Sequence, residues 1–163
     1  MVLPVLVVFA LAGGLAQPVG AVPADPGWVW PVTGPVIAPF DPPDSPYGSG
    51  HRGIDIAAPV GTPVLAPAAG VVTFAGPVGG RLYVTVDHGG GVLSTSSFLS
   101  SLAVRRNDVV EAGQTLGASG TGHAGALIAH VHFSVRLDTV YVDPLDYLAP
   151  LDLSAFIRLA PTG

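Results

Sequence analysis

The chain contains no cysteine, so disulfide frameworks and thiolate chemistry are excluded from the start. It also contains no lysine, and its six arginines are scattered rather than gathered into a stripe. With a net charge of −5 it offers no surface for a phosphate backbone, and no nucleic-acid partner is expected. Charged residues make up only 10% of the chain against 49% hydrophobic, a balance foreign to disordered segments. Helical periodicity is missing as well: no 3.6-residue pattern is sustained before residue 150. What is abundant is glycine (22) and proline (17), without a collagen-like period. In 163 residues, that composition suits one domain of short strands and tight turns.

The first apolar run, VLPVLVVFALAGGLA from Val2 to Ala16, has the length of a signal-peptide core. Pro4 and Gly13-Gly14 interrupt it, and it is too short to span a bilayer. Small residues at Val19-Gly20-Ala21 mark a cleavage site, although no Lys or Arg precedes the core. Residues 1–21 therefore read as a signal peptide, giving a secreted, extracytoplasmic protein with no membrane span after its removal. Residues 22–50 form a Pro-rich lead-in with one short strand near Pro35–Phe40, and Trp28 and Trp30 are expected to pack on the main body.

From His51 the chain becomes a series of short strands punctuated by glycine. Val64–Ala66, Gly70–Ala75, Leu82–Val86, Val92–Leu99, Val109–Val110 and Leu116–Ala118 all carry β-branched or alternating patterns. His88-Gly89-Gly90-Gly91 reads as a tight turn in which His88 caps a hairpin. Strands at this spacing predict a mostly β domain over 51–148, an antiparallel β-sandwich or barrel-like sheet with little helix. The tail, 149–163, has room for one short amphipathic helix bearing Leu153, Phe156 and Ile157.

Two stretches carry metal-ligand chemistry. In Ala129–Val135 (AHVHFSV), a strand directs His130 and His132 to one face, with about 7 Å between their origins. Two such imidazoles can share a divalent metal, or one can bind it while the other moves protons. In His51-Arg52-Gly53-Ile54-Asp55, Gly53 and the β-branched neighbours argue against a helix. Strand alternation would put His51 and Asp55 on one face, with Gly53 leaving room between them. Imidazole nitrogen with carboxylate oxygen suits Zn²⁺, and three protein ligands leave a fourth position for water.

With these motifs go Val-Gly-Thr-Pro-Val (60–64), Ala69-Gly70-Val71-Val72, His-Gly-x-Gly (88–91), Gly-Gln-x-Leu-Gly (113–117), Gly120-Thr121-Gly122 and His-x-His-Phe (130–133). In this order and spacing they resemble the LytM/lysostaphin-type zinc endopeptidases over residues 30–148. The resemblance implies a mostly antiparallel β fold with a groove holding one Zn²⁺. It also implies hydrolysis of peptide bonds in bacterial peptidoglycan, in stem or crossbridge peptides of the cell wall. Carried over residue by residue, His51, Asp55 and His132 match the zinc ligands. His130 matches the histidine that acts as general base on the metal-activated water.

One position departs from the family pattern. Where the family carries Tyr-x-His-Leu, this chain has Ser96-Ser97-Phe98-Leu99, so Phe98 replaces a second catalytic imidazole. Phenylalanine cannot donate to an oxyanion, and losing such a donor costs a factor of about 10²–10³ in turnover. His123 is the spare histidine nearest in sequence to the His-x-His strand and so the candidate substitute; a solvent-exposed loop residue is the competing reading. Two functions therefore stand side by side: a zinc metalloendopeptidase, and a catalytically weak or inactive wall-binding or amidase-regulating module of the same fold. A third, in which the histidines of a small extracellular β-domain are incidental, is disfavoured because a structural zinc takes four protein ligands and three are matched.

Overall fold

The computed structural model describes residues 27–45 and 48–150. The export segment and the C-terminal helix expected within 151–163 lie outside the described residues. Ten strands follow in chain order: β1 Val36–Ala38, β2 Ile54–Ala57, β3 Pro63–Leu65, β4 Gly70–Val78, β5 Arg81–Asp87, β6 Val92–Leu102, β7 Val109–Val110, β8 Thr115–Ser119, β9 His130–Leu137 and β10 Val140–Val142. Among the described residues a single 3₁₀ turn, Pro144–Asp146, follows β10. The expected mostly β, antiparallel architecture is what forms. All ten join one sheet whose main path runs β1-β2-β9-β6-β5-β4-β7, with β10 paired to β9, β8 to β6 and β3 to β8, and it does not close into a barrel.

Local chemistry explains the main turns. β4 and β5 are joined by Gly79-Gly80, both at positive φ (57° and 79°), the conformation a two-residue type I′ hairpin requires. The His88–Gly91 turn is likewise built on three glycines at positive φ. His88 itself is structural. Its ring bonds the Ala69 carbonyl (2.9 Å) and Ser94 Oγ (2.8 Å) and lies against Trp28. Burial lowers its pKa from 6.5, outweighing the Ala69 carbonyl and Asp87, which act to raise it.

Alternation along the strands separates two faces. Val131, Phe133 and Val135 of β9, Val84 and Val86 of β5, and Ile54 and Ile56 of β2 are fully buried in the core. The intervening residues of β9, His132, Ser134 and Arg136, line a groove on the other face. Trp28 and Trp30 pack on the core as expected. They also tie the start of the domain to its end, since Trp28 pairs with Leu148 and Trp30 Nε1–H donates to the Ala149 carbonyl at 2.7 Å.

β6 is the hub of the sheet, and its pairing changes partway along. Up to Ser97 it pairs with β9, and from Leu99 it pairs with β8. On its other edge Ser97 faces Tyr83 and Leu99 faces Leu82, so Phe98 is the extra residue of a β-bulge. Its φ of 65° lies in the left-handed region, which non-glycine residues seldom adopt. The bulge suspends alternation, and the consecutive residues Ser97 and Phe98 both line the groove.

Candidate metal centre

The sheet register builds most of the site. Asp55 on β2 sits directly opposite His132 on β9, and Ala57 opposite His130. Directly opposed residues have Cβ atoms about 5 Å apart, so the carboxylate and the imidazole meet without help from any loop. His132 Nδ1 lies 2.9 Å from Asp55 Oδ1.

His51 reaches the same point by a different route from the one alternation suggested. β2 begins only at Ile54; the chain bends at Arg52 and Gly53, and His51 belongs to an isolated bridge with Asp41. The reason is crowding at Gly53. A Cβ there would collide with the Phe133 carbonyl and come within 2.9 Å of the His132 ring, so the glycine makes room for β9 rather than for an ion. His51 Nδ1–H donates to the Pro39 carbonyl at 2.7 Å, which turns the Nε2 lone pair into the site. That Nε2 lies 3.2 Å from Asp55 Oδ1 and 3.0 Å from His132 Nδ1.

The three donor atoms thus form a triangle with edges of 2.9, 3.0 and 3.2 Å. Tetrahedral zinc with bonds of about 2.0–2.1 Å requires donor–donor edges of about 3.3 Å, close to what is seen. One proton can satisfy this acceptor-rich cluster only partly, whereas one divalent cation bonds all three atoms. The donor chemistry and spacing therefore fit Zn²⁺. Burial pushes the Asp55 carboxyl up. The hydrogen bond from His132 and the charges of His132, His51 and His130 act the other way and prevail, taking it from 3.8 to about 2. It is a carboxylate throughout the neutral and mildly acidic range.

Two further histidines flank the triangle. His130 is buried, with Nδ1–H donating to the Ile128 carbonyl (2.8 Å), so its Nε2 is left as an acceptor. That Nε2 takes the His123 backbone N–H at 3.2 Å and lies 3.5 Å from Asp55 Oδ2. The contact depends on Gly122, which has a φ of 86° and where any Cβ would strike the His130 ring. His123, whose place sequence alone left between a loop and the site, has its ring in the site. Its side chain is 47% exposed, with Nε2 3.4 Å from Asp55 Oδ2. His51, Asp55, His123 and His132 offer ligand atoms all within 4.8 Å of one another. Phe98 lies beside this group on the groove wall, its ring 4.4 Å from that of His123 and about 6 Å from those of His130 and His132. Ser96, two residues before, is buried on the opposite side of β6 from the groove.

His51 and His132 line a groove of about 530 Å³ that crosses the sheet from β9 toward β4. The sequence pattern of peptidase family M23 matches residues 49–144, which include His51, Asp55 and both histidines of the His-x-His strand. The chain belongs to peptidase family M23. This M23 chain is 38% identical over 136 residues to a lipoprotein NlpD/LppB homolog of Pseudomonas aeruginosa, covering 82% of the chain and 43% of that protein. It is 32% identical over 123 residues to the murein hydrolase activator NlpD of Escherichia coli, covering 74% of the chain and 31% of that protein. The chain thus spans less than half the length of these relatives. Among solved structures, the catalytic domain of the antimicrobial peptidase lysostaphin from Staphylococcus simulans superposes with a TM-score of 0.59 at 26% identity, covering 67% of this chain and 87% of that one. Among the described residues, no helix of the M23 domain is long and apolar enough to cross a membrane.

Proposed function

We propose that the protein is a zinc-dependent endopeptidase of the cell envelope that hydrolyses peptide bonds in peptidoglycan. The observation carrying this reading is the triangle of His51, Asp55 and His132, two of whose residues, His51 and His132, line a groove of about 530 Å³. His51 Nε2, Asp55 Oδ1 and His132 Nδ1 would hold the zinc. When bound there, zinc supplies Lewis acidity toward the scissile carbonyl and brings the pKa of water to about 7.

The remaining work falls to the chain's own residues. His130 accepts the proton at Nε2 and returns it to the leaving amine, its ring held by the Nδ1–H bond to the Ile128 carbonyl. That step requires the His123 amide, which donates to Nε2 at 3.2 Å, to release it. His123 supplies through its ring the second imidazole that Phe98 cannot provide, donating to the developing oxyanion. Phe98 packs against that ring.

A second reading, a non-hydrolytic module that regulates other wall hydrolases, is favoured by the apolar ring of Phe98 beside the site and by the likeness to a murein hydrolase activator. Digestion of purified peptidoglycan with and without a chelator separates the two. The endopeptidase reading expects metal-dependent release of new amino termini. No release from zinc-loaded protein would leave the regulatory module standing.

A further inference from the structure

Arg136 lines the groove in a state that the metal chemistry leaves unexplained. It follows His132 and Ser134 on the groove face of β9. Its Nε is buried without a hydrogen-bond partner. Among the described residues no carboxylate pairs with it, for the ion pairs that form there all converge on Asp55. A guanidinium is charged at every accessible pH, and a buried N–H without a partner is costly. The groove around it carries Arg52 as a second cation and no aspartate or glutamate in its lining, although acidic residues outnumber basic ones 11 to 6 in the whole chain. Tyr141 and Thr95 add hydroxyls to the same wall.

We infer that Arg136 is the core of an anion subsite that binds a free carboxylate on the substrate peptide. The inference rests on the endopeptidase reading for its substrate and deepens it by naming the class. Four residues of strand separate Arg136 from His132, a distance of about 13 Å. An extended peptide whose scissile carbonyl lies at the metal centre therefore brings a carboxylate two to four residues away within reach of the guanidinium fork. Wall stem peptides carry such carboxylates. Bridges made of glycine carry none, so the stem peptide is the substrate class that this groove selects.

The test measures binding and cleavage separately on zinc-loaded protein. The binding probes are a synthetic stem tetrapeptide with free carboxylates, the same peptide fully amidated, and pentaglycine with its C-terminus amidated. The expected result is binding of the free-acid peptide about 10–100-fold tighter than of its amide or of pentaglycine, the range of a charge-assisted pair. Arg136→Gln should erase that preference, and Arg136→Lys should restore part of it while losing the bidentate fork. Should Arg136→Gln fail to fold, the comparison of acid with amide on the unaltered protein still decides. Equal affinity for acid and amide overturns the inference, as does a preference that survives Arg136→Gln. Carboxylate-selective binding without any cleavage would keep the subsite and remove the hydrolase, whereas cleavage indifferent to amidation would do the reverse.

Discussion

Replacing His123 by alanine is the perturbation that bears most directly on how the site works. The ring of His123 is 47% exposed, with Nε2 3.4 Å from Asp55 Oδ2 and the ring centroid 5.5 Å from that of His132. The three other ligand atoms hold one another at 2.9–3.2 Å. If His123 is an oxyanion donor, its loss should lower kcat by about 10²–10³, or roughly 2.7–4 kcal/mol of transition-state stabilisation. Zinc affinity should change by less than about tenfold, a smaller effect than that of removing a residue that orients a ligand. Stability should hardly move, since the residue sits on an exposed loop. The assay pairs zinc competition against a chromophoric chelator with release of amino groups from a defined stem peptide, using His132→Ala as the reference for a lost ligand. A drop in zinc affinity as large as that of His132→Ala would refute the reasoning. It would mean that His123 closes the fourth corner, and hydrolysis at that corner would have no room.

Phe98→His should raise turnover by about tenfold or more, because the bulge already aims this side chain at the histidine cluster and histidine tolerates the left-handed region better than phenylalanine; an unchanged rate on the stem peptide would contradict it. Gly53→Ala should destabilise the fold by about 1–3 kcal/mol and weaken zinc binding together, since the new Cβ meets both the Phe133 carbonyl and the His132 ring; a denaturation midpoint equal to that of the unaltered protein would count against it. In the zinc-free protein burial lowers the pKa of His123 and also that of His88, so each contributes a pH dependence of the same sign, and His88 lies away from the metal centre. For His88 the folded pKa lies below 6.5, so the folded state binds a proton less readily than the unfolded one. Stability is then complete above the unfolded value and is lost as pH falls through about 6.5 toward the folded value, with a slope of at most about 1.4 kcal/mol per pH unit. Thermal melts between pH 7.5 and 5.5 should show this slope, flattened in His88→Gln.

The strands were legible because their residues alternate or branch at Cβ, and a strand pair with Asp55 opposite His132 needs only period two on each side. Period two is also what misleads. It put His51 on a strand with Asp55, where packing of Gly53 against β9 bends the chain instead. It gave no hint that Ser97 and Phe98 share a face, since nothing in SSFL announces a bulge. The place of His123 depends on a loop whose course follows from a glycine pressed against the His130 ring, a tertiary contact with no local signature. Arg136 was visible in the same alternation that singled out His130 and His132. An arginine near a strand end ordinarily reads as a solvated residue, and only its missing partner sets it apart.

These differences divide the site in two. The metal-binding half is fixed by β2, β9 and a bridge to Asp41, so its geometry is as stable as the sheet itself. The half that would handle protons and charge rests on a loop between Gly122 and Ala129 and on one bulged residue, elements whose local stability can be far below that of the fold. Zinc binding alone therefore does not distinguish a hydrolase from a regulator in this chain. The same triangle serves both, and the distinction lies in whether His123 and residue 98 present a donor to the groove. Measurements that perturb those two positions while leaving His51, Asp55 and His132 intact are the ones that discriminate, and they do so with the metal centre as an internal control.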